Sequence, residues 1–301
     1  MTKTQQIIPC LWFDSNAEEA VNFYVSLFPD SRSGRILRYG EEGQEITGKQ
    51  PGSVMSIDFQ LAGYRFTGLN GGPHFTFTPA ISFFVTCTTE AEVDALWAEL
   101  SQGGVVLMAL AKYDWSEKYG WVQDKYGLTW QVALGKVEDV GQKITPFLMF
   151  VGQQHGRAEE AIKLYTEIFK EAKVDGILRH PAAAGEAAAT VQHALFDLNH
   201  QKFMAMDSGA AHAFNFNEAI SLEIACATQV EIDYFWTKLT ANGGEEGPCG
   251  WLKDKFGVSW QVVPTVLYDM LSDPDPSKSQ RVTRALLQMK KLEINTLQQA
   301  Y

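Results

Sequence analysis

Apolar runs and helical stripes follow one another along the chain in an order that is met four times. Ile7 to Phe13 is an apolar run interrupted by Pro9, which predicts an opening strand with one edge free. Ala20, Val21, Tyr24, Leu27 and Phe28 then share one helical face, and Ser15 with Glu18 three positions on predicts a capping box at its start. Pro29-Asp30 stops the helix. Arg35 to Tyr39 can form a strand, residues 40–52 read as a polar loop punctuated by glycine, and Val54 to Leu61 with Tyr64 to Leu69 alternates as a hairpin about Ala62-Gly63. The unit reads βαβββ. Ala80 to Cys87 opens the same plan, with a second capping box at Thr89 and Glu92. Val93, Leu96, Trp97 and Leu100 form its stripe, Gly103-Gly104 stops it, and Val105 to Leu110 is strand-like.

The second unit ends in a stretch that the chain repeats: GWVQDKYGLTWQV from Gly120 to Val132, and GWLKDKFGVSWQV from Gly250 to Val262. Each copy predicts a hairpin, since Asp124 and Asp254 can bond their own backbone and the glycine after the aromatic residue tolerates a positive φ. Side chains alternate along a strand, so Trp130 and Gln131 face opposite ways, as do Trp260 and Gln261. From Ile144 the whole order recurs. Ala17-Glu18-Glu19-Ala20 matches Ala158-Glu159-Glu160-Ala161, Ile36-Leu37-Arg38 matches Ile177-Leu178-Arg179, and Cys87 matches Cys226. The second copy largely lacks a counterpart of 108–119, and helical segments after Pro264 have none in the first. Two domains follow, 1–135 and 144–264, joined by a linker at 136–143 and followed by a helical tail at 265–301.

A chain of 301 residues, 46% of them hydrophobic, is long enough for two cores. Its net charge of -11 offers no basic stripe, which argues against nucleic acid or an anionic membrane surface as a partner. Cys10, Cys87, Cys226 and Cys249 form no CxxC pair, and buried reduced thiols are the expectation. The opening MTKTQQIIP has no basic stretch followed by an apolar one, and no apolar run approaches the ~20 residues of a membrane helix, so a cytoplasmic protein is expected.

The repeated G-W-x-x-D-K-[FY]-G-x-x-W-Q-V signature resembles the PhnB-like (demethylubiquinone methyltransferase-like) family of the glyoxalase, bleomycin-resistance and dioxygenase superfamily, known as the vicinal oxygen chelate group. GLNGGPHFTF at Gly68 to Phe77, NEAIS at Asn217 to Ser221, and the tail LLSDPDPSKSQRV resemble it too. The fold this resemblance implies is α+β, with four βαβββ units forming two tandem glyoxalase-like domains plus C-terminal helices. Each pair of units would make a curved sheet whose concave face holds a ligand. Dimers are common among single-pair relatives, so the resemblance implies a pseudo-symmetric monomer or a homodimer. Metal-using relatives place His, Glu or Gln on the first and last strands of each unit. Carried over, those positions fall near Ile8, Thr67, Ser82 and Gln131 in the first domain, and near Thr145, Met204, Ser221 and Gln261 in the second. One neutral amide cannot hold a divalent ion, so no metal and no cofactor are expected. Methyltransferase activity is not expected either, because no G-x-G pattern follows a strand into a helix.

The partner this leaves is a small organic molecule. Gln131 and Gln261 are candidate cavity amides, with Ser82 and Ser221 beside them. Trp121 and Trp251 could stack on a planar ligand or pack the sheet. Glu223 shares its strand face with Ser221 and is the candidate catalytic carboxylate, a general base or a partner in a structural hydrogen bond. His193 lies on a strand with its direction open, and an unconventional metal site of His193 with Glu223 would suit a lyase or isomerase. A sequestering protein of the bleomycin-resistance kind is the third reading. The aromatic segment 113–117, unique to the first copy, reads as a lid or an ordered surface loop.

Overall fold

The computed structural model describes residues 5–181 and 190–301, so the first four residues of the expected first domain lie outside it. Its strands, in chain order, are β1 (Ile7–Phe13), β2 (Arg32–Arg38), β3 (Val54–Leu61), β4 (Tyr64–Asn70), β5 (Ile81–Cys87), β6 (Val105–Tyr113), β7 (Ser116–Gln123) and β8 (Thr129–Leu134). The second half supplies β9 (Ile144–Phe150), β10 (Ala172–Arg179), β11 (Val191–Leu198), β12 (Gln201–Asp207), β13 (Ile220–Cys226), β14 (Glu245–Glu246), β15 (Trp251–Lys253) and β16 (Ser259–Pro264). Among the described residues they form two eight-stranded sheets, ordered β10-β11-β12-β9-β5-β8-β7-β6 and β14-β15-β16-β13-β1-β4-β3-β2.

The βαβββ plan is present four times, yet the folded units differ from the sequential division at 135 and 144. Residues Phe77–Phe216 form one compact unit, the middle unit; Gln6–Thr76 and Asn217–Tyr301 form the other, the split unit. The second module therefore shares a sheet with the third, and the first with the fourth. Every module offers the same kind of first strand, apolar on both faces and open for antiparallel pairing, so local pattern does not say which pairs with which. The joins are β5 against β9, with Ser82 opposite Phe147, and β1 against β13, with Cys10 opposite Ser221.

β1 is consequently central, contrary to the edge that Pro9 predicts. The amide of Trp12 bonds Ala219, so even-numbered amides of β1 point toward β13 and the missing N–H of Pro9 points toward β4. That ladder begins only at Cys10, and no bond is lost.

The repeated hairpins form as the sequence predicts, with Gly127 and Gly257 at φ 91° and 85°. The expected capping box at Ser15 does not form; the first amide of the helix Ala17–Leu27 is bonded by Asn70 Oδ1 at 2.9 Å. The linker holds a short helix, Val137–Val140. In the tail, Leu267, Met270, Val282, Leu292 and Leu297 join Val263 in a buried cluster of their own, which fixes the helix Val266–Leu271 against the split unit. Among the described residues no helix is long and apolar enough to cross a membrane.

Candidate functional site

In the middle unit, register places four side chains in one row across four strands: Thr145 (β9), Phe84 (β5), Gln131 (β8) and Trp121 (β7). Phe147, opposite Ser82, continues to Met204 and Leu195 on β12 and β11. These residues occupy the inner face of the sheet. The other face carries the helices: a Cβ on Gly120, between Tyr119 and Trp121, would lie 2.4 Å from the Trp97 ring of the helix Glu90–Ser101.

Around this row the inner face is aromatic and its polar groups are neutral; further along β11 and β12 the same face carries Asp197 and Lys202, paired at 3.2 Å. Tyr119 donates its hydroxyl proton to Gln131 Oε1 at 2.8 Å, and Gln131 Nε2 donates to Ser82 Oγ at 2.8 Å, so both ends of the amide are engaged. Phe84 packs beside Tyr119, and Tyr113 and Trp115 stack on each other with centroids 4.9 Å apart and edge-on to Tyr119. The segment 113–117 is thus the tip of the β6–β7 hairpin. Trp115 remains 64% exposed there. His193 does point inward, its ring 5.8 Å from Phe147, and burial lowers its pKa, which favours the uncharged imidazole. Three buried polar atoms on this face, Trp121 Nε1, Thr145 Oγ1 and Thr86 Oγ1, have no hydrogen-bond partner among the described residues.

The split unit places different chemistry in the matching row: Ile8 (β1), Glu223 (β13), Gln261 (β16) and Trp251 (β15). Gln261 Nε2 donates to Ser221 Oγ at 2.9 Å, and burial pushes the Cys10 thiol, opposite Ser221, up to about 12. Trp251 packs edge-on against Trp12. Glu223 is 1% exposed and stands where the middle unit has Phe84. Burial raises its pKa to about 7; the Tyr268 hydrogen bond and the Arg65 and Arg35 guanidinium groups pull the other way, and the Asp58 carboxylate adds to the rise. Tyr268, from the tail helix Val266–Leu271, donates its phenolic proton to Glu223 Oε2. Arg35 lies 5.4 Å from the Tyr268 ring centroid and pairs with Asp58 at 3.5 Å.

This arrangement bears on two of the sequence expectations. His193 and Glu223 stand on different sheets in different compact units, so neither inner face brings the two together in its own row. The positions matching the superfamily's ligands also regroup, as Ser82, Gln131, Thr145 and Met204 in the middle unit and Ile8, Thr67, Ser221 and Gln261 in the split unit. Neither set suits a divalent ion, for each holds one amide already hydrogen-bonded within the protein, hydroxyls, and an apolar or thioether side chain. Among the described residues no three His, Cys, Asp or Glu side chains gather as a ligand set. Sequence reasoning missed Tyr119 and Tyr268. Tyr119 was available from strand parity, two residues before Trp121; Tyr268 had no signal, because its place on Glu223 depends on how the tail packs.

Comparison with known proteins agrees with this picture. A search of curated proteins gives no match. A PhnB protein from Bacillus cereus is 44% identical over a stretch covering 44% of this chain and 100% of that one, with a TM-score of 0.40. Glyoxalase I from Zea mays, 11% identical, covers 90% of this chain and 96% of its own, with a TM-score of 0.53. A candidate dioxygenase from Bacillus subtilis, 9% identical, covers 100% and 97%, with a TM-score of 0.51. These last two show the fold alone. The pattern of the family described as 3-demethylubiquinone-9 3-methyltransferase matches residues 5–133 and 142–263. With both sequence repeats matched over most of its length, the chain belongs to that PhnB-like family of glyoxalase-fold proteins.

Proposed function

We propose that the protein binds a small, planar, uncharged organic molecule on the inner face of the middle unit, without a divalent metal. The observation that carries this reading is the trio of buried polar atoms left without partners on an otherwise aromatic face. A buried donor or acceptor without a partner costs about 1–3 kcal/mol, and a ligand that meets it recovers that cost. Trp121 Nε1 can only donate, the threonine hydroxyls can donate or accept, and Phe84, Phe147 and Tyr119 supply flat apolar surface. The ligand is therefore conjugated and carries an acceptor such as a carbonyl oxygen.

A screen of planar carbonyl compounds by thermal shift tests this. Trp121→Phe is expected to weaken the best hit by about tenfold, the worth of one hydrogen bond. Thr145→Val is expected to lower affinity while leaving the apo protein as stable or slightly more so, because it removes an unsatisfied hydroxyl. Unchanged affinity in both variants would refute the assignment. Exhaustive dialysis against a chelator is expected to leave binding intact. Glu223 supports a second reading, an enzyme of the lyase or isomerase kind, since a buried carboxyl titrating near neutrality suits a general base. Full turnover in Glu223→Gln would remove it. Tight binding with no turnover in either case would support sequestration. Methyl transfer has no support from the geometry, as no strand enters a helix through a G-x-G turn among the described residues.

A further inference from the structure

We infer that the inner face of the split unit is a second ligand site, specific for a hydroxyaromatic compound, which the protein's own tail holds shut by inserting the phenol of Tyr268. Tyr268 meets every requirement of a ligand there. Its hydroxyl donates to a fully buried carboxyl, Glu223, on the row that the middle unit leaves for a guest. Its ring lies beneath the Arg35 guanidinium at 5.4 Å, and Arg35 is itself held by Asp58. Glu223 accepts this bond from an element outside the sheet, although its neighbours in the row, Ile8 and Gln261, come from the sheet itself. The middle unit has the short helix Val137–Val140 in the corresponding place, and there Glu138 is exposed.

The tail is held at two kinds of contact that differ in strength. Its apolar cluster is buried, whereas the ion pairs joining it to the first module, Arg35 with Asp269 and Arg284 with Glu42, lie at the surface, where such pairs contribute little. A tethered phenol competes with a free one through its effective concentration, which is millimolar or higher for short tethers. Removing it raises the apparent affinity for a free phenol by the same factor.

The test uses p-cresol as probe and toluene as its control, on the full chain. Wild type is expected to bind p-cresol only weakly. Tyr268→Ala is expected to bind it at least tenfold more tightly, to regain thermal stability on its addition, and to ignore toluene. Adding Glu223→Leu, which removes the acceptor, to that variant is expected to cost about tenfold in p-cresol affinity. If Tyr268→Ala does not fold, Tyr268→Phe keeps the ring and loses the hydroxyl, and p-cresol should then displace the tail, seen as faster amide exchange in 266–271. Equal p-cresol affinity in wild type and the Tyr268 variants, or no effect of Glu223→Leu, would overturn the inference.

Discussion

Asp254→Ala is expected to destabilise the split unit by about 3–5 kcal/mol. The side chain is 2% exposed and organises the turn from within. Oδ1 accepts from the amides of Phe256 at 2.9 Å and Val258 at 3.1 Å, and Oδ2 accepts from the indole of Trp260 at 2.9 Å. Alanine would strand three buried donors and loosen Trp260, which is fully buried. Asp254→Asn is the instructive control. Its carbonyl can still serve the two amides, but its NH2 group then faces the indole N–H, donor against donor, so about 2 kcal/mol is expected to be lost. Asp124 repeats the arrangement in the middle unit, with Tyr126 and Leu128 on Oδ1 and Trp130 on Oδ2, and Asp124→Ala should behave alike. Urea unfolding measures both. A loss below about 1 kcal/mol would mean that the carboxylate serves the turn alone.

The second large effect is a dependence on pH. In the folded chain Glu223 titrates near 7, mainly through burial, against an ordinary value of 4.5. Between those two values the folded state holds a proton that the unfolded state has released. Stability from this group is therefore complete below about pH 4.5 and is lost as pH rises through about 7, by about 3 kcal/mol in all. Other carboxyls work in the opposite sense: Glu159 is held below the usual range by hydrogen bonds from Lys163 and Arg179. The informative quantity is the difference between wild type and Glu223→Gln. Glutamine cannot ionise and can still accept the Tyr268 bond, so the variant should gain on wild type steadily from pH 4.5 to 7 and keep its lead at pH 8. A difference independent of pH would show that Glu223 is solvated in the native state.

Much of this was legible from periodicity. The four βαβββ modules, the two hairpins and the opposed directions of Trp130 and Gln131 follow from alternation and turn chemistry, which act over a few residues. What the sequence could not show depends on partners far along the chain. Ser15 looks like a helix cap, but Asn70 performs that role from the neighbouring strand; in the later copy Asp207 bonds the amide of Ala158 at 3.1 Å in the same manner. The pairing of β1 with β13 was hidden for a similar reason, since every module presents an equivalent first strand. Residue type alone made Glu223 conspicuous. That a tail tyrosine would cover it required the packing of Leu267 and Met270 against Val263.

The contrast between the two inner faces carries the functional account. Phe84 and Glu223 hold the same place in their rows, and so do Phe147 and Cys10; one face is aromatic with three unmet polar atoms, the other holds a buried acid already bonded and one unmet hydroxyl, Ser259 Oγ. Native mass spectrometry of gently purified protein tests this most directly, comparing wild type with a Trp121→Phe, Thr145→Val double variant. The account expects an organic adduct of a few hundred daltons on wild type, depleted in the variant and insensitive to chelator. An adduct with the mass of a divalent ion, or an organic adduct retained in full by the variant, would contradict it.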